Sequence, residues 1–198
     1  MATGAEAGVV YGAGLVQGVA LVAFPASSAI LTSPEYYDLS RSAYGALFLP
    51  QAVAAILAAV SGAGLMRRFG IKRTFLAGLV GDVVAMTLLV ASQFFIGQGP
   101  MSYAMLLLAT TSLGIGFGLT VPAINTYAAA FAPAAADRAV LYLNALLGLG
   151  TALAPVLVAV FVGIGFWCGL PLLTAIMIAA LMGASSFSIV RELRPATA

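Results

Sequence analysis

Asp82 is the one acidic residue that falls inside a long apolar stretch of this 198-residue chain, flanked by Gly81 and Val83. A carboxylate surrounded by hydrocarbon is costly unless it is paired or hydrated, so protonation or a functional niche is expected. No Lys or Arg lies within the apolar stretches to pair with it. Two chemistries stay open: a proton-binding or gating carboxylate, and an acid capped by neighbouring hydroxyls where helices touch. A second group is uncharged and hydrogen-bonding: Tyr11, Gln17, Ser28, Gln51, Thr110, Thr111, Ser112, Asn125, Thr126, Tyr142, Asn144 and Thr151. Such groups can replace the water around a neutral polar solute without adding net charge. For any one of them the plainer role is a hydrogen bond between helices.

Other chemistries have no residues to carry them. His is absent, no nucleophile has a recognisable base, and there is neither a phosphate-cradling Gly-Lys-Ser/Thr motif nor a metal-ligand cluster. The chain is therefore expected to be no enzyme and to hold no metal or cofactor. Nucleic acid is not expected as a partner for the same kind of reason, since the basic groups are few and sit beside apolar stretches.

The elements that must position these side chains follow from composition. Hydrophobic residues make up 63% of the chain and charged residues 7%, and the mean hydropathy is +1.12. A water-soluble core of this size needs far less apolar surface. In a lipid bilayer each crossing takes about 20 apolar residues as a helix, because hydrocarbon offers no partner to an open strand edge. Six stretches fit: Gly8 to Leu31, Ala43 to Leu65, Thr74 to Phe95, Tyr103 to Phe131, Ala139 to Gly165 and Trp167 to Val190. The expected fold is an all-α integral membrane protein of six transmembrane helices in one membrane domain. Polar or Pro/Gly-bearing turns separate the first five stretches, whereas the last turn, around Gly163, Gly165 and Gly169, carries no charge.

Basic residues orient the chain, since Lys and Arg near helix ends stay on the cytoplasmic side. Arg67, Arg68, Lys72 and Arg73 follow the second stretch, Arg138 the fourth, and Arg191 and Arg194 the sixth; only Arg41 falls on the other side. Both termini are thus expected in the cytoplasm, with the bilayer being a plasma or inner membrane. The basic turn also suits contact with anionic lipid headgroups. Met1 to Ala7 has no Lys or Arg and includes Glu6, so the first stretch reads as a retained helix rather than a secretory leader. Cys168 is the only cysteine and is expected to behave as a small hydrophobe.

A shift of 97 residues places Pro25-Ala26 on Pro122-Ala123 and Arg41 on Arg138. Residues 8–95 and 103–190 would then be two three-helix repeats, and an odd number of crossings per repeat makes the second copy inverted.

The turn Gly62-Ala63-Gly64-Leu65-Met66-Arg67-Arg68-Phe69-Gly70-Ile71-Lys72-Arg73 resembles the loop signature of the major facilitator superfamily. That signature is a Gly, three residues, Asp, a basic residue, any residue, Gly, any residue and two basic residues. Arg68, Gly70, Lys72 and Arg73 stand on its positions, but its first Gly falls on Ala63 and its Asp on Arg67. In the family that Asp helps lock the cytoplasmic side, and the lock does not carry over to Arg67. The run Leu113-Gly114-Ile115-Gly116-Phe117-Gly118-Leu119-Thr120-Val121-Pro122-Ala123 is also similar to the family's fourth helix, although the family's Arg and Gln are here Thr110 and Leu113. Gly150 and Pro155 match part of the antiporter signature, without its other glycines.

The resemblance spans nearly the whole chain and corresponds to the amino-terminal half of a twelve-helix member. It implies a solute path lined by the first and fourth helices, with Tyr11, Gln17, Thr110, Thr111 and Asn125 on it and Gln51, Tyr142 and Asn144 at its border. It also implies that the third helix, which carries Asp82, lies toward the outside. The expected activity is that of a half-size secondary transporter. It would pair with a second six-helix unit, a copy of itself or a separate chain, and move a small neutral polar solute by alternating access. A non-transporting membrane scaffold is the alternative. A third expectation, half of a longer protein, is set against the tail from Arg191 to Ala198, which reads like a natural end.

Overall fold

Proline decides where the first two apolar stretches bend. In a computed structural model describing residues 3–186, helix α1 spans Gly4–Leu21 and is followed by the short helices α2, Ala23–Ala26, and α3, Ser28–Thr32. A proline ring clashes with the carbonyl four residues earlier; for Pro25 that residue is Leu21, where α1 stops. Helix α4, Arg41–Ala46, and helix α5, Phe48–Phe69, repeat the pattern, since Pro50 stands four residues after Ala46. Helix α1 begins ahead of Gly8 because Thr3 and Glu6 form a reciprocal cap, with the Glu6 amide donating to Thr3 Oγ1 at 3.2 Å and the Thr3 amide donating to Glu6 Oε2 at 2.7 Å.

The remaining helices are α6, Ile71–Ser92, α7, Gly99–Phe131, α8, Ala136–Gly163, and α9, Gly169–Ala184. The described residues contain no strand. Pro122 and Pro155 lie inside α7 and α8 without ending them, so Pro25 and its repeat counterpart Pro122 differ in effect. The uncharged fifth turn is real: Gly165, at φ +75°, separates α8 from α9. Four segments are long and apolar enough to cross a membrane, Arg41–Phe69, Ile71–Phe95, Gly99–Phe131 and Pro133–Gly163. The chain is therefore an all-helical membrane protein. Helix α1, with 18 residues, and α9, with 16, are shorter. The end of the sixth stretch, with Val190, Arg191 and Arg194, lies outside the described residues.

Helix α7 is the hub, packed against α5, α6, α1 and α8, while α1 also meets α8 and α9, and α6 meets α9. Two glycine pairs spaced by four mark close approaches between helices. Gly14 and Gly18 of α1 lie on the carbonyls of Leu143 and Leu147 of α8, and Gly114 and Gly118 of α7 lie on those of Gln51 and Ala55 of α5. A Cβ at Gly18 or Gly118 would overlap the carbonyl beneath it. Both pairs advance in step along the two helices, so α1 runs parallel to α8 and α5 parallel to α7. Half of the apolar window of α7 is buried, against 22% for the Arg41–Phe69 span and 17% for the Pro133–Gly163 span.

One end of the bundle is closed by a junction of three segments. Tyr37, from the turn after α3, sits edge-on to Trp167 with ring centroids 5.8 Å apart. Its hydroxyl meets Ser92 Oγ at 2.7 Å, and Ser92 in turn donates to the Leu89 carbonyl at 2.7 Å. Ser92 has a single hydroxyl proton, so Tyr37 is the donor. Burial pushes the Tyr37 hydroxyl up to about 12, and Cys168 is free and buried nearby, beside Gln93.

Candidate functional site

Asp82 is placed by the antiparallel crossing of α6 and α7, and by glycines on both. The crossing is reciprocal: Gly116 of α7 faces Asp82 of α6, and Gly78 of α6 faces Thr120 of α7. Each polar side chain thus stands opposite the other helix's missing Cβ, which is the room it needs. Asp82 has no exposed surface. Gln17 Nε2 of α1 donates to its Oδ1 at 3.3 Å, and Thr120 Oγ1 donates to its Oδ2 at 3.5 Å. The carboxyl group is therefore held between three helices by an amide and a hydroxyl, with no basic partner among the described residues. It points into the bundle, toward α1 and α7. Thr120 is the partner that sequence reasoning passes over; the signal it leaves is a glycine four residues before a polar residue on each helix, Gly78 before Asp82 and Gly116 before Thr120.

The uncharged candidates divide by what their hydrogen bonds reach. Gln17 is buried and committed to Asp82. Thr110 and Thr111 both turn back to the Leu107 carbonyl, at 3.0 and 2.7 Å, and Thr110 is fully buried. Tyr11 reaches across to the Ala139 carbonyl of α8 at 3.4 Å. Gln51 borders a pocket of about 270 Å³ with Leu21, Phe48, Gly114 and Phe117. Its Oε1 is buried and accepts no hydrogen bond among the described residues. A larger open groove of about 510 Å³ between α5 and α7, lined by Val53, Leu57, Thr111, Ile115 and Leu119, is almost wholly apolar.

Two candidates meet on the open side of the bundle. Asn144 Nδ2 of α8 donates to Asn125 Oδ1 of α7 at 3.1 Å and to the Val140 carbonyl at 2.8 Å. At ~1.5 Å per residue, Asn125 lies ~9 Å inside the end of α7 and Asn144 ~12 Å inside the start of α8. Asn144 is exposed, Asn125 is half-buried, and Tyr142 nearby in sequence is 64% exposed. Polar groups at such depth normally face protein or a hydrated space rather than lipid.

The basic turn is a different kind of feature. Gly70 adopts φ +92° and ψ 156°, a conformation that L side chains rarely take, and this lets α6 begin directly after α5. Arg67, Arg68 and Arg73 are exposed and Lys72 is half-buried, with the Arg68 guanidinium 5.1 Å above the Phe69 ring. Arg67 makes no ion pair among the described residues. No group of three or more His, Cys, Asp or Glu could hold a metal ion among the described residues. Comparison with family models, with curated proteins and with solved structures returns no match for this chain.

Proposed function

We propose that the chain is a half-size secondary transporter of the major facilitator type, which pairs with a second six-helix unit and moves a small neutral polar solute by alternating access. The observation that carries this reading is the open polar face of α7 and α8, where Asn144 and Tyr142 are exposed and Asn125 is half-buried within helices built for lipid. A second unit against that face encloses the amides and leaves a path between the two bundles. The matched glycine contacts of α1 on α8 and of α7 on α5 support the two inverted repeats, 8–95 and 103–190, since each repeat's first helix then lies on the other's second. Identical chains would pair about a two-fold axis along the membrane normal, with both termini in the cytoplasm of a plasma or inner membrane.

Asp82 supplies the titratable group of the scheme. It ties α1, α6 and α7 at one point, so gain or loss of its proton alters both of its helix contacts at once. Single cysteines on α1 or α7 should trap dimers in native membranes, with solute protecting some positions. A functional protein that stays monomeric in lipid by mass measurement, with no partner chain, overturns the proposal. The second reading, a non-transporting membrane scaffold, draws on the same Gln17–Asp82–Thr120 cluster, which is satisfied within one bundle and has no exposure.

A further inference from the structure

The hydrogen bonds of the Asn125–Asn144 pair fix which way both amides point. The Val140 carbonyl can only accept, so the group 2.8 Å from it must be the Asn144 nitrogen. That nitrogen spends its second proton on Asn125, so the atom of Asn125 that it meets at 3.1 Å must be the oxygen. What remains is one acceptor, Asn144 Oδ1, and one two-proton donor, Asn125 Nδ2, and neither is hydrogen-bonded to the described residues. The outward chemistry of the pair is therefore polar in a defined sense: an oxygen from α8 and an N–H group from α7, both on planar amides.

We propose that this pair is a recognition edge for a neutral solute that carries an N–H beside a carbonyl, such as a primary carboxamide or a lactam. The inference rests on the transporter reading above and names the solute class for it. A solute of that class donates to Asn144 Oδ1 and accepts from Asn125 Nδ2. An ester or a tertiary amide lacks the proton for Asn144, and a carboxylate brings a second acceptor against its oxygen. No charged residue is needed to reject ions, because a lone acceptor and a lone donor satisfy neither an anion nor a cation fully. Planarity favours amides over polyols, whose hydroxyls turn freely and lose that freedom when bound.

The test uses the full chain in lipid nanodiscs for binding and in proteoliposomes for uptake. The probes are 2-pyrrolidone and propionamide, with N,N-dimethylpropionamide, methyl propionate and glycerol for comparison. The lactam and the primary amide should bind about tenfold more tightly than the dimethyl amide or the ester, the effect of one hydrogen bond. Asn125→Asp keeps the acceptor for Asn144 but loses the outward donor, and should weaken all four carbonyl probes about equally without unfolding the bundle; Asn144→Leu removes the outward acceptor and should abolish the preference for the lactam and the primary amide. Equal binding of all five probes, or a preference for glycerol, overturns the inference. So does a dimer that dissociates on Asn125→Leu while amides never protect the site, because the pair is then a contact between copies. Uptake separates the two levels: transport of other neutral solutes but not amides refutes the recognition edge alone, while amide binding without any uptake refutes the transporter reading and leaves the edge standing.

Discussion

Replacing Asp82 by alanine and by asparagine should give different answers about stability, and the difference can be worked from its two contacts. Alanine removes the acceptor for both Gln17 Nε2 and Thr120 Oγ1, which are buried with it among α1, α6 and α7. Hydrogen bonds between membrane helices are worth about 0.6 kcal/mol on average and up to about 1.7. At 3.3 and 3.5 Å these two are long, so their loss should cost about 1–2 kcal/mol in total. Asparagine keeps an oxygen for Gln17 and offers an N–H to the Thr120 hydroxyl, which can turn to accept, so Asp82→Asn should lie within about 0.5 kcal/mol of the parent. Unfolding of the purified protein in bicelles measures both variants, and uptake at two pH values measures the coupling role. Loss of proton-driven uptake in Asp82→Asn, with stability kept and binding or exchange retained, separates the proton from the packing. Equal destabilisation by both variants would show that the carboxyl group is not held as described, and unchanged pH-dependent transport in Asp82→Asn would leave Asp82 a packing residue.

Three further outcomes are expected. Gly118→Leu should destabilise the bundle by about 1–3 kcal/mol because its Cβ overlaps the Ala55 carbonyl, whereas Gly148→Ala, with open space around it, should cost nothing measurable in the same unfolding assay. Tyr37 stays protonated in the fold up to about 12 but ionises near 10.0 when exposed, so its contribution is whole below pH 10 and is lost as pH rises from 10 to 12; Tyr37→Phe should flatten the fall of melting temperature over that range. Labelling of cysteines placed at Ser33 and at Ala196 should come from opposite sides of the membrane, and equal access from outside would refute the orientation drawn from the basic residues.

Helix positions were legible in the sequence where a physical cause is local. Pro34 and Pro133 mark breaks that the structure also shows, Pro100 stands in the first turn of α7, and the charged run after Met66 brackets Gly70, the single residue between α5 and α6. The breaks at Val22 and Leu47 are legible in hindsight, because each lies three residues before a proline whose ring meets the end of the preceding helix. The sites were legible as residue types only. Asp82 stands out by its charge, but its partners lie 65 and 38 residues away and are chosen by how glycines let three helices cross. Thr110 and Thr111 look like path residues until their hydroxyls are seen to return to the Leu107 carbonyl, a bond that every helical threonine can make. Asn125 and Asn144 are the opposite case, since only the tight connection between α7 and α8 brings them side by side.

The pairing of α1 with α8 and of α5 with α7 also constrains how the protein can be made. Helices α1 and α5 leave the ribosome first, yet their close glycine contacts are made with residues synthesised later, Leu143 and Leu147 of α8 and Gly114 and Gly118 of α7. Helix α1 therefore waits in the bilayer with Gly14 and Gly18 uncovered, and consolidation depends on contacts between distant parts of the chain, which form slowly. A chain stopped before Leu143 has no seat for Gly14 and Gly18 of α1. Full-length synthesis and native packing are coupled in this bundle, so truncations from the carboxyl end should be degraded rather than accumulate as smaller folded units.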